Sequence, residues 1–175
     1  MVSLNSTDKV IYKEGDVTIV ESTAEHAGYL QHHLRPSDIR ECMIHGATPW
    51  RALHLPLRHK TAETYTGFYK DEPACMVGVY PYEQEYEFKM GSIWLLGTYV
   101  LDENPRQFLK ASRFMADMFL EKYDMLENVV PLEHSKTIRW LHWLGFEFGT
   151  KPIEINGFEV IRFVRCDTAI EVRFE

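Results

Sequence analysis

The order of the periodic segments predicts an α+β domain, with helices packed on a mixed β-sheet. Three observations carry that expectation. An early strand at Val17–Glu21 gives way to helical spacing. A long apolar run, Ser92–Leu101, reads as a central strand buried on both faces. Helix and strand then alternate until a closing hairpin whose turn is Asn156-Gly157.

Each element has its own local reason. Thr23 is placed to cap a helix in which Ala27, Leu30 and Leu34 share a face. Pro36 and Ser37 open a second helix with Ile39, Cys42 and Met43 inward, stopped near Gly46. Thr48-Pro49 opens a third, whose Trp50, Leu53 and Leu57 align at helical spacing although Pro56 must shorten or bend it. The β-rich runs 64–69 and 74–80 form a hairpin through Lys70-Asp-Glu-Pro73. After the central strand comes the longest helix, from about Pro105 to Lys122, with Phe108, Ala111, Met115, Met118 and Phe119 as its core stripe. A strand over 126–132 follows. Within His134–Phe146, Ile138, Trp140, Leu141 and Leu144 recur at three- and four-residue steps, and Gly145 supplies the left-handed stop. Trp140 and Trp143 cannot both turn inward beside Ile138 and Leu141 without widening the apolar face, so one of them is expected at an exposed interface. The strands 153–155 and 158–164 complete the sheet.

Composition bounds the function. A chain of 175 residues, 45% hydrophobic and 13% aromatic, supports one buried core and is short for two. We read a tail and lead-in at 1–16, a single domain at 17–166 and a tail at 167–175. A net charge of −7 argues against binding nucleic acid through its phosphates, and no run approaches the length of a membrane span. Cys42, Cys75 and Cys166 are odd in number and far apart, which fits reduced thiols in a cytoplasm. His32-His33, Cys42 with His45, and His54 with His59 are half-sites without a completing pair, so no metal is expected. The segment Trp50–Lys60 mixes aromatic, aliphatic and basic residues, and its apolar positions are assigned to the core rather than to lipid.

The helix ending in Leu144-Gly-Phe146, the hairpin after it and the element order together resemble the GNAT N-acetyltransferases. The resemblance implies the GNAT-like acyl-CoA N-acyltransferase fold over roughly 17–165. In that family a loop of Arg or Gln, two residues, Gly, any residue, then Gly or Ala cradles a diphosphate on bare amides. The matching register here is Arg106-Gln-Phe-Leu109-Lys-Ala111. Leu109 replaces the first glycine, and Asp102 and Glu103 stand just upstream with repelling charge. The family's asparagine falls on His134, and the tyrosine that protonates the departing thiolate falls on Leu141, which has no proton to give. Glu83, Glu85 and Glu87 are acidic but are not distinguished from a solvated loop.

The blocks Phe119–Val130 and His134–Phe148 also resemble the GNAT-like internal virion protein of short-tailed bacteriophages. That resemblance implies a non-catalytic accessory of virion assembly or ejection. It would take no cofactor, bind other phage virion or ejection proteins, and reside in the host cytoplasm or the virion. The alternative is an active acetyl-CoA-dependent N-acetyltransferase acting on a host protein or small amine. Under it the cofactor positions are Val100, Leu101, Arg106, Lys110, Ala111 and His134. Oligomeric state is not legible.

Overall fold

Two hairpins turn on non-glycine residues at positive φ: Lys70 at φ 55, and Asn156, followed by Gly157, at 49 and 81. The latter pair is the left-handed dipeptide that a two-residue hairpin needs. The computed structural model describes residues 1–83 and 88–167. It contains β1 (Val10–Glu14), β2 (Val17–Glu21), α1 (Ala24–Leu30), α2 (Pro36–Ile44), α3 (Pro49–Arg58), β3 (Glu63–Tyr69), β4 (Glu72–Pro81) and β5 (Met90–Gly97). There follow α4 (Tyr99–Glu103), α5 (Pro105–Leu120), β6 (Met125–Pro131), α6 (Ser135–Trp143), β7 (Glu147–Phe148), β8 (Ile153–Ile155) and β9 (Phe158–Cys166).

The strands form one mixed sheet in the order β1-β2-β3-β4-β5-β6-β9-β7, with β8 on β9. Among the described residues only β5 and β6 run parallel, and that pairing is short. Side-chain alternation divides the core in two. On one face α5 and α6 bury Ala111, Met115, Phe119 and Leu141 against Val77, Val79, Leu126 and Phe163. On the other, α1, α2 and α3 bury Ala27, Leu30, Cys42 and Leu53 against Met76 and Leu96.

Local expectations meet the structure unevenly. Thr23 caps α1 by accepting from the His26 amide, Thr48 caps α3 through the Arg51 amide, and Gly46 and Gly145 carry positive φ after α2 and α6. Pro56 is accommodated within α3. Of the two tryptophans in α6, Trp143 is the exposed one, its ring under the Arg113 guanidinium, while Trp140 packs on the core; in α3 Leu53 is buried as expected but Trp50 is exposed rather than in the core.

Three readings are corrected. Residues 10–14, taken as lead-in, form a strand against β2. The central strand stops at Gly97 and the chain coils into α4, because the Thr98 hydroxyl accepts from the Val100 amide. In α2 it is Asp38 and Cys42 that turn inward, leaving Ile39 and Met43 exposed. The reason is electrostatic: a buried carboxylate with four donors fixes the helix rotation more firmly than two apolar side chains do.

No helix among the described residues is long and apolar enough to cross a membrane.

Candidate active site

Where β5 and β6 part, the sheet opens. They pair only at Met90↔Met125, Gly91↔Leu126 and Ser92↔Glu127, whereas β5 stays paired with β4 as far as Gly97↔Cys75. The Asn128 side chain plugs the point of divergence by donating to the Ile93 carbonyl at 2.7 Å. Beyond it, the Leu95 N–H and C=O lie on the edge turned away from β4, with no strand opposite among the described residues. Alternation fixes this: Thr98 N–H reaches Ala74 of β4, while Gly97 and Ile93 offer their backbone groups to the other side.

A cavity of about 860 Å³ passes through this gap. Toward α5 and α6 its walls are Leu109, Ser112, Thr137 and Trp140, with Trp140 Nε1 donating to Ser112 Oγ at 3.2 Å. Toward α2 and α3 they are Asp38, Glu41, His45, Arg51, Tyr80 and Trp94.

Polar groups brace the open end. Asp38 is 2% exposed and its carboxylate accepts from Arg35 Nε at 2.6 Å, Arg35 Nη2 at 3.0 Å, Ser37 Oγ at 2.9 Å and the Gly97 amide at 2.9 Å. Arg35 also donates to Asp102 at 2.8 Å. Glu41 pairs with His134 Nδ1 at 3.3 Å, and Arg40 with Glu133 at 3.2 Å. Burial raises the Glu41 carboxyl above its usual range, opposed by His134, whereas the bond to Glu41 raises the His134 imidazole. Burial also pushes the Cys42 thiol up to about 12, which leaves it an inert wall.

The residues assigned from sequence are scattered. Val100 is buried in the first turn of α4 and its carbonyl is used by Asn104. Leu101 and Ala111 line the cavity, Ala111 as part of the core. Arg106 is exposed on the first turn of α5, and Lys110 is held by Glu14 of β1 at 2.6 Å. His134 sits at the N-cap of α6 and faces Glu41. Glu83 is exposed and lies near His59, while Glu85 and Glu87 fall outside the described residues. Among the described residues no three His, Cys, Asp or Glu side chains converge as a metal site would require.

Asp38, Glu41, Asn128 and the Leu95 backbone were not anticipated. Asp38 and Glu41 stand one helical turn apart, a visible spacing, and Arg35 and Ser37 lie beside Asp38 in sequence, but the contacts that turn this face toward the site, Gly97 for Asp38 and His134 for Glu41, are remote. Nothing local announces the unpaired edge at Leu95, since it depends on where two strands part.

No family model and no curated protein sequence matches the chain. Solved structures do. The ribosomal-protein-S5-alanine acetyltransferase from Vibrio fischeri superposes with a TM-score of 0.67 at 12% identity, over 92% of this chain and 98% of that one. The aminoglycoside acetyltransferase AAC(6')-Ib, in complex with coenzyme A, gives 0.64 at 15% identity over 87% and 96%. The ribosomal L7/L12 alpha-N-protein acetyltransferase, also with coenzyme A, gives 0.63 at 10% identity over 93% and 100%. The fold is therefore that of the GNAT acetyltransferases. Nothing in these matches bears on a virion protein.

The expectation of a fold without a cofactor is corrected by these neighbours, two of which hold coenzyme A. Both of its physical supports also weaken in the structure. The amides without intrahelical partners at the start of α5 belong to its first turn, upstream of Leu109, and the Asn104 side chain does not cap them. Asp102 pairs with Arg35, which it shares with Asp38, so its charge is offset in part, while Glu103 stays exposed.

Proposed function

We propose that this chain is an acyl-CoA-dependent N-acyltransferase. One observation carries the reading: a strand edge left unpaired at Leu95 along a cavity of about 860 Å³ that runs between α5 and α6. An amide-bearing chain such as a pantetheine arm satisfies such an edge by mimicking the missing strand. The uncapped first turn of α5, with Arg106 on it, suits the diphosphate at the other end. Bound there, the thioester supplies an acyl carbon open to attack by an amine.

Leu141 is buried and offers no proton to the leaving group. A thiol titrates at about 8.5, so its thiolate departs near neutrality without help. The missing acid then slows the reaction by about 10²-fold or more without abolishing it.

A second reading, a non-catalytic accessory that binds virion or ejection proteins, draws support from Leu109 and Leu141 alone. Calorimetric titration with coenzyme A and acetyl-CoA separates the two. We expect a dissociation constant on the order of 1 μM, about −8 kcal/mol. No heat at millimolar ligand overturns the enzymatic reading.

A further inference from the structure

Helix α2 lies across the open end of the sheet like a crossbar. Its start is tied to β5, where Asp38 holds the Gly97 amide. Its end is tied to the β8–β9 turn, where Asn156 Nδ2 donates to the Ile44 carbonyl at 2.8 Å. Between these ties, Arg40 and Glu41 reach Glu133 and His134 in the connection from β6 to α6. Since β6 lies between β5 and β9 in the sheet, Glu41 sits over the gap where β5 and β6 part.

The carboxylates on this wall are not equivalent. Asp38 is saturated by four donors and Asp102 is engaged by Arg35. Among the described residues Glu41 pairs with His134 through Oε1, and so its second oxygen has acceptor capacity to spare on the cavity wall. The face it occupies is opposite the one where α5 and α6 flank the slot, so a second substrate meets Glu41 without displacing the first.

We infer that Glu41 receives the ammonium group of the acceptor and takes its proton, with His134 as the residue that positions it. This rests on the acyltransferase reading above. In the step, the acceptor's R–NH3⁺ gives one proton to the Glu41 carboxylate. The neutral nitrogen then attacks the thioester carbonyl, an N–C bond forms and the C–S bond breaks. The nitrogen's surplus proton ends on the departing sulfur as the thiol, and Glu41 returns its own to solvent. His134 opposite, Asp38 on α2 and Arg35 before it are the charges that set when Glu41 is ionised, while Arg40 on α2 and Glu133 opposite pair with each other and Glu133 also faces His134. Burial and Asp38 favour its protonated form, and His134 and Arg35 favour the carboxylate.

The test uses the full chain as wild type, E41Q, H134N and, as a control outside the cavity, E121Q at the exposed end of α5. Coenzyme A binding is read by calorimetry. Thiol release from acetyl-CoA is read with ethylenediamine, spermidine, histamine and a lysine-containing peptide with a free N-terminus. The His134 imidazole is followed by NMR in the unliganded protein. The inference expects E41Q to bind coenzyme A as wild type does, to lose about 100-fold or more in kcat/KM, and to lose the acidic limb of the pH profile. It expects H134N to move that limb to higher pH and E121Q to keep the wild-type rate. The His134 titration should shift downward in E41Q. Three outcomes overturn the inference while acyl-CoA binding stands: an E41Q rate within about threefold of wild type, an unchanged acidic limb, or no amine-dependent thiol release by a wild type that binds coenzyme A. Failure of the wild type to bind coenzyme A overturns the acyltransferase reading itself.

Discussion

At the scale of single residues, Asp38 decides more than its size suggests. A carboxylate this deeply buried survives only because its two oxygens are filled by Arg35, Ser37 and a backbone amide. Removing it leaves the Gly97 amide unpaired and strips Arg35 of its deepest partner. Asp38→Ala is expected to cost about 3 kcal/mol, read by urea denaturation, with coenzyme A binding weakened through the loosened end of β5. A loss below about 1 kcal/mol would show that the network is dispensable. The residue was present in the sequence, but its role was not. Hydrophobic spacing pointed Ile39 and Met43 inward, and a contact between α2 and the end of β5 rotated the helix the other way.

At the scale of elements, most starts and stops were written locally. Thr23, Thr48, Gly46, Gly145 and Asn156-Gly157 act through their own side chains or φ angles, and such signals need no distant partner. In α1 the cap is reciprocal: Thr23 Oγ1 accepts from the His26 amide, and His26 Nδ1 accepts from the Thr23 amide. Thr23→Ala should lower stability by about 1 kcal/mol, and Thr23→Ser should restore most of it in the same denaturation assay. The failures have one cause. The apolar run through Leu101 read as a single strand, yet it broke at Gly97 because tertiary contacts took that residue's backbone and Thr98 capped the turn that follows. Likewise, β1 has no strong pattern of its own and is a strand because β2 lies beside it.

At the scale of the molecule, acid stability follows from histidines held in opposite ways. Burial lowers the titration of His26, His45 and His54, while Glu41 raises that of His134. A lowered group contributes stability that is full above its unfolded value of about 6.5 and is lost as pH falls toward its folded value. A raised group contributes below about 6.5 and loses that contribution as pH rises. Three against one, the balance predicts lower unfolding free energy at pH about 5.5 than at about 7.5, and a shallower slope in His26→Gln. Coenzyme A at 100 times its dissociation constant should add about 2.7 kcal/mol at either pH, read as a rise in melting temperature.

By itself the sequence determined the element types, their order and most of their boundaries, because capping, turn chemistry and apolar period act between near neighbours. That was enough to point to a GNAT-like fold. What only the tertiary structure decided is the site: how far β5 and β6 pair before parting, which way α2 faces, and that Glu41 meets His134 over the gap. Each of these depends on groups far apart in the chain whose meeting is fixed by sheet register and helix packing, and no local pattern encodes that distance.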